Sequence, residues 1–333
     1  MTELFKPTAL AISSDIQVNI GALRLLASHQ ILDTASLSLD LLDLTGLGKV
    51  DLGSGVLTVA GNSAVDVFNG DISGAGGELD KLGSNTLDLR GNNTYTAGTL
   101  VKGGKLLING SQSASDVYIY SGATVGGGGT TGALFGKGGT VSPGNSPGRL
   151  TATKSSSFDS ATTLMIEING QNAGTDYDQL SLTGNLALNN SHLQISMGFA
   201  GAIGNRFMIV KHQSGSTPSP FQNLPEGAIL TVNNGATLRI TYVGGDGNDV
   251  ELIQLSLPVA PQFGGVSQLA NGSIELKGKG APGVSYTVEA NADLRTTQWV
   301  TLGSITANNL GALAFIDSKA TNYTERFYRF IAP

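Results

Sequence analysis

The chain has 333 residues, of which 47 are Gly and none is Cys, and it carries a net charge of −6 with only 13% charged residues. A hydrophobic fraction of 40% excludes a disordered polar tail, and 10 Pro with no three-residue Gly period exclude collagen. The acidic balance removes the basis for non-specific nucleic-acid or anionic-membrane binding, and the lack of Cys excludes a disulfide framework and a thiolate zinc site.

In chain order, the opening MTELFKPTALAISSDIQ has no basic start, apolar stretch or cleavage signal, so residues 1–8 read as a tail rather than a signal peptide. No apolar run approaches the ~18–20 residues of a membrane helix. From about residue 16 to residue 255 one theme repeats: two to four alternating apolar residues, then Gly, Asn, Asp or Ser. IQVNIG, SLSLDLLDL, GVLTVAGN, AVDVFNG, TLDLRGN, KLLING, DVYIYSG, TLMIEING, HLQISMG, RFMIVKH and VELIQL are examples. Alternation with period two, as in Leu87-Asp88-Leu89-Arg90, points one face inward and the other to water.

Short strands at even spacing admit an up-and-down antiparallel sheet or a coiled solenoid. Two features favour the solenoid. Strands are often separated by one or two corner residues, and similar features recur at roughly 20–30 residues. GSGVLTVAGN from Gly53 and GSNTLDLRGN from Gly83 each read as GS, an alternating strand, then GN. No single coil buries its apolar face alone, so stacking must supply the core.

Residues 53–110 resemble the autotransporter-associated β-strand repeat of bacterial surface passengers. GGELDKLGSNTLDLRGNNTYTAGTLVKGGKLLING follows that repeat's order, with departures at Asn85 and Ala97, where Gly is usual. LLASHQILDTASLSLD upstream, and GTVSPGNSPGRL, GTDYDQLSLTG, LPEGA and ITYVGGDGNDVEL downstream, are similar to flanking parts of the same passengers, so the resemblance covers most of residues 9–255. It implies a right-handed parallel β-helix over residues 9–256, exported to the cell surface. The family is defined by a structural repeat, so no catalytic residues come with it.

A second unit is expected from Leu257, at the Pro-marked LPVAPQ. Phe263, Tyr286, Trp299, Phe315, Tyr323, Phe327, Tyr328 and Phe330 gather in residues 257–333, where six strand-like runs alternate with turn clusters. The expected fold is a small antiparallel β-sandwich. YTVEANADLRTTQWVTLG and RFYRFIAP resemble C-terminal immunoglobulin- or fibronectin-like modules of secreted bacterial proteins. The chain shows neither the strand pattern of a translocating barrel nor an apolar tail. If exported, it is expected to be truncated or mis-started, or to use another route.

Candidate chemistry is sparse. GGDGNDVEL, residues 244–252, begins like a calcium-binding nonapeptide with Asp246 and Asp249 as carboxylate donors. That site needs tandem copies, and Glu251 stands at a position meant for an apolar residue, so a tight Gly-Asp corner is the favoured reading and no metal or other cofactor is expected. Asp176 and Asp178 in GTDYDQL are spaced to share one strand face, a pair of the kind used in glycoside hydrolysis, against the simpler reading of turn-opening Asp residues. His29, His192 and His212 fit no metal spacing, and no G-x-S-x-G is present. Tyr95, Tyr118 and Tyr120 are expected to stack on equivalent positions of neighbouring coils rather than to make contacts with partners.

The sequence therefore reads as an extracellular or surface structural passenger without enzymatic activity, a rod of about ten coils and near 50 Å. Its alternatives are a β-helix polysaccharide lyase or glycoside hydrolase, and a carbohydrate-binding module at residues 257–333. Expected partners are an extracellular polysaccharide or surface protein, with no nucleic acid and no membrane span.

Overall fold

Alternating strands bend at their Gly and Asn corners and return in register, so that each lies beside its equivalent one coil away. A computed structural model describes residues 9–11, 18–25, 31–33, 39–61, 64–257, 260–282, 284–308 and 310–332. The protein is all-β, with parallel sheets through most of its length and antiparallel sheets at the C-terminal end. It divides into two compact units: Met1–Gln194 with Phe207–Ala228 and Ile240–Leu252, and Ile195–Arg206 with Ile229–Arg239 and Ile253–Pro333.

The first unit is a parallel β-helix. One flank stacks Leu39–Gly46, Val56–Val59, Glu78–Lys81, Thr99–Val101, Val117–Tyr120, Leu134–Lys137, Ser156–Phe158 and Leu186–Ala187, all pairing parallel. A second flank stacks Val65–Phe68, Thr86–Leu89, Gly104–Ile108, Ala123–Gly127, Thr140–Pro143 and Thr163–Ile168. Ser111–Gln112, Thr130–Thr131, Arg149–Ala152 and Gln179–Leu182 form a third.

Register turns alternation into columns. Leu57 and Leu79 align on the first flank, as do Leu87, Leu106, Val125, Val141 and Leu164 on the second, and every one of these side chains is fully buried. Each isobutyl or isopropyl group removed from water contributes about 1.5–3 kcal/mol. The core is one continuous stripe because each coil closes the stripe of the coil before it.

The register also corrects the reading of the repeat. The strand of GSGVLTVAGN lies on the first flank and that of GSNTLDLRGN on the second, so the two are not equivalents; the partner of Leu57 is Leu79 and that of Leu87 is Asp66. Similar corner chemistry at both ends of a strand produced the likeness, because every flank ends in the same tight bend. A second correction concerns Asp88. Expected in water, it is buried, taking Asn109 Nδ2 at 2.7 Å and the Arg90 guanidinium at 2.8 Å.

Corners are where chain meets chain. A Cβ at Gly83 would lie 1.9 Å from the Gly61 carbonyl oxygen, so only Gly lets the two coils close there. Gly104 adds a φ of +62°, in the left-handed region that Gly enters without strain.

In the second unit, Ile229–Thr231 pairs antiparallel with Thr237–Arg239. Asn233 clamps Met197, accepting its N–H at 2.6 Å and donating to its carbonyl at 3.2 Å. Farther on, Gln262–Gln268, Ile274–Lys279 and Ala312–Asp317 make one three-stranded antiparallel sheet. Val300–Thr306, Ser285–Asn291 and Phe327–Ile331 make another. Leu313 from the first and Tyr286, Ile305 and Phe330 from the second meet in one apolar cluster with Val284 and Ala307. The Tyr286 hydroxyl accepts the Ala281 N–H at 2.8 Å, which satisfies its buried oxygen.

Candidate functional site

The polar groups picked out from the sequence serve the β-helix backbone. Asp176 and Asp178 do not share a strand face: they lie in the turn that precedes Gln179–Leu182. Asp176 accepts the backbone and side-chain N–H groups of Asn172 at 3.1 and 2.6 Å. Asp178 is buried and accepts the amides of Gly148 at 2.8 Å and Glu167 at 2.9 Å, joining segments 30 and 11 residues away. Burial pushes its carboxyl up to about 6, against the pull of those two amides. The period-two spacing was real, but the chain turns between the two acids.

Asp246 and Asp249 separate in the same way. Asp246 is exposed in the turn closed by the Gly247 N–H on the Gly244 carbonyl, whereas Asp249 is buried and accepts the His212 amide at 2.7 Å. Among the described residues no group of three or more His, Asp or Glu side chains converges as a metal site would. His212 is buried, and burial holds its pKa below the usual imidazole range against the opposing pull of Asp249 and the Asn248 backbone. His192 is exposed, and the side chain of His29 lies outside the described residues.

The tyrosines part company. Tyr118 stacks on Phe135, its register partner one coil on, with ring centroids 5.0 Å apart and planes at 23°, as expected of an outward ladder. Tyr95 instead points inward, fully buried. Its hydroxyl lies 2.6 Å from Thr99 Oγ1 and 3.4 Å from Gln112 Oε1, in a network that Ser115 extends. Burial pushes that phenol up to about 12. Tyr120 sits half-buried, in register with Lys137.

A buried cation interrupts the apolar column, and sequence reasoning missed it. Lys81 is fully buried, in register between Val59 and Val101, and its ammonium donates to the carbonyls of Gly83 and, at 3.2 Å, Gly103. Burial pulls its pKa down to about 8, with Asp66 pulling the other way. Asp66 is itself buried and accepts Asn85 Nδ2 at 2.7 Å. The signal was visible: Lys81 occupies an inward position of the alternation Leu79-Asp80-Lys81.

A cavity of about 260 Å³ opens on the second unit, bordered by Asn291, Asp293, Thr296, Gln298, Tyr323 and Arg326. Its floor is held from below. Buried Asn291 donates to the Thr296 carbonyl at 3.1 Å and accepts the Asp293 N–H at 2.9 Å, fixing the turn between them. Arg326 pairs with buried Asp317 at 2.7 Å, and its guanidinium lies 4.0 Å from the centre of the Tyr323 ring.

No family model matches the chain. Over 159 residues, 46% of this chain, it is 38% identical to an extracellular serine protease of Serratia marcescens, and over 95 residues, 28% of the chain, 44% identical to an extracellular serine protease of the same species. Over 66 residues, 18% of the chain, it is 44% identical to the Neisserial autotransporter lipoprotein NalP of Neisseria meningitidis serogroup B. The chain spans 15%, 9% and 6% of those relatives' own lengths. The likeness to autotransporter passengers stands at this coarse level. The expectation of a chain without enzymatic activity is overturned: a relative matched over 46% of its length and another over 28% are each named an extracellular serine protease. The alternating-strand pattern on which that expectation rested describes a fold, and a fold does not fix a function.

Proposed function

We propose that this chain forms the β-solenoid stretch of an extracellular bacterial passenger protein and serves as a stem for a serine-protease-bearing polypeptide. The observation that carries this is the unbroken parallel ladder from Leu39–Gly46 to Leu186–Ala187, with its column of buried side chains. Such a ladder is stiff along the stacking direction and grows by adding coils, which suits it to holding another unit away from its anchor. The names of the relatives support placement outside the cell and the protease connection. Within this reading, residues 53–110 are an autotransporter-associated strand repeat and residues 257–333 a β-sandwich module carried by the stem.

Surface display tests it. The chain is placed between an export leader and an outer-membrane barrel in a Gram-negative host, with an epitope at the exposed Gly247 turn. The expected result is antibody labelling of intact cells and a trypsin-resistant β-helical fragment. Labelling only after lysis overturns the proposal. Inhibitor-sensitive casein cleavage by the natural gene product tests the protease connection separately.

A further inference from the structure

We propose that the cavity on the second unit is a binding site for a single ring of a neutral saccharide, with Tyr323 as its stacking platform. Tyr323 is 46% exposed as a residue, and the Arg326 guanidinium lies 4.0 Å from its ring centroid. One face is thus covered by a cation held by Asp317, leaving the other for a ligand. An exposed aromatic face beside polar side chains is what a pyranose requires. Its axial C–H groups pack on the ring while its equatorial hydroxyls reach outward to planar acceptors and donors. Gln298 offers an amide, with Thr296 and the Arg295-paired Asp293 at the border. Asn291 locks the intervening turn, so these groups are positioned before a ligand arrives.

Charge selects a neutral ligand. Arg326 is paired with Asp317 and Arg295 with Asp293 at 3.0 Å, so the site holds no uncompensated charge to attract an anion or a cation. Size selects one ring. At about 260 Å³ the cavity falls below the ~300 Å³ at which drug-sized pockets begin, and it is open to solvent as the end or branch of a polymer requires.

Saturation-transfer NMR on the full chain tests the site with cellohexaose, laminarihexaose, chitohexaose and, as a charged counterpart, hexagalacturonate. The expected result is transfer to at least one neutral oligosaccharide, with affinity weakened about tenfold or more by Tyr323→Ala and by Gln298→Ala. The outward Tyr118→Ala leaves it unchanged. Gln298 is exposed, so its variant keeps the test valid where Tyr323→Ala disturbs the sheet. No transfer from any neutral oligosaccharide, transfer from hexagalacturonate alone, or binding that survives both variants overturns the proposal.

Discussion

The β-helix and the C-terminal antiparallel sheets are built from the same strand-and-corner vocabulary, yet they solve burial differently. In the β-helix, inward side chains such as Leu57, Leu79, Leu87 and Leu106 are fully covered by the coils on either side. The terminal sheets leave Phe263, Val266, Val300 and Ile316 each about half or more exposed around a small core centred on Tyr286 and Leu313. Charge follows the same division. The β-helix takes Lys81 and Asp178 inside on backbone partners and Asp66 on Asn85 Nδ2, while the terminal sheets bury Asp317 against Arg326 and display Arg329 on Glu289 at 2.7 Å and 4.1 Å from the Trp299 ring centre. Stacking covers each coil from both sides, whereas the pair of terminal sheets buries few polar groups, Asp317 and Asn291 among them, and leaves large apolar side chains at its surface.

The contrast can be pressed at four points. Tyr286→Ala removes the largest side chain of the small core and is expected to cost about 3–5 kcal/mol, which melts the terminal sheets in a separate transition while the β-helix keeps its own. Calorimetry showing one merged, equally lowered transition would blur the distinction between the regions. Leu79→Ala opens a cavity in a stacked column and is expected to cost about 2–5 kcal/mol, read as a lower urea midpoint of the β-helix. A loss under 1 kcal/mol would mean that the column is not the main source of stability.

Lys81→Met tests the buried cation through pH. In the fold Lys81 loses its proton near pH 8, whereas the unfolded chain keeps it to about 10.5. Between those values the unfolded state binds more protons, so stability contributed at this position rises with pH. Buried tyrosines such as Tyr95 cost both proteins stability toward pH 10, so the expected readout is the difference: between pH 8 and pH 10 the urea midpoint of the parent gains on that of Lys81→Met, and parallel trends in both would contradict the assignment. Phe263→Ala closes the series, with an expected loss of about 1 kcal/mol from its tilted contact with Phe330, ring centroids 5.4 Å apart, the residue being only half buried. A larger loss would show that the terminal sheets rely on that face.

Much of the fold was legible because a period of two and regular corners leave few ways to hide an apolar face. The parallel ladder and the antiparallel end both follow from that pattern and from the resemblance to surface passengers. Register was not legible: GSGVLTVAGN and GSNTLDLRGN look alike because each strand ends in the same bend, and only backbone pairing shows that they lie on different flanks. The carboxylate-pair reading of Asp176 and Asp178 failed, and the turn reading is what is found: Asp176 caps its own turn, while Asp178 ties down amides of distant segments that spacing cannot reveal. The cavity beside Tyr323 joins residues from 291 to 326, a convergence that only the folded sheets create.

The central claim is that successive coils stack in parallel, one strand spacing apart. Thr58, Asp80, Leu100, Tyr118, Phe135 and Ser157 are consecutive register partners, and the chain has no Cys to compete for a label. Spin labels at Thr58→Cys and Ser157→Cys should report backbone positions about 24 Å apart by double electron–electron resonance. With the second label moved to Phe135→Cys, the distance should shorten by about 5 Å. A distance that does not fall when the label moves one coil nearer would contradict parallel stacking, and with it the stem.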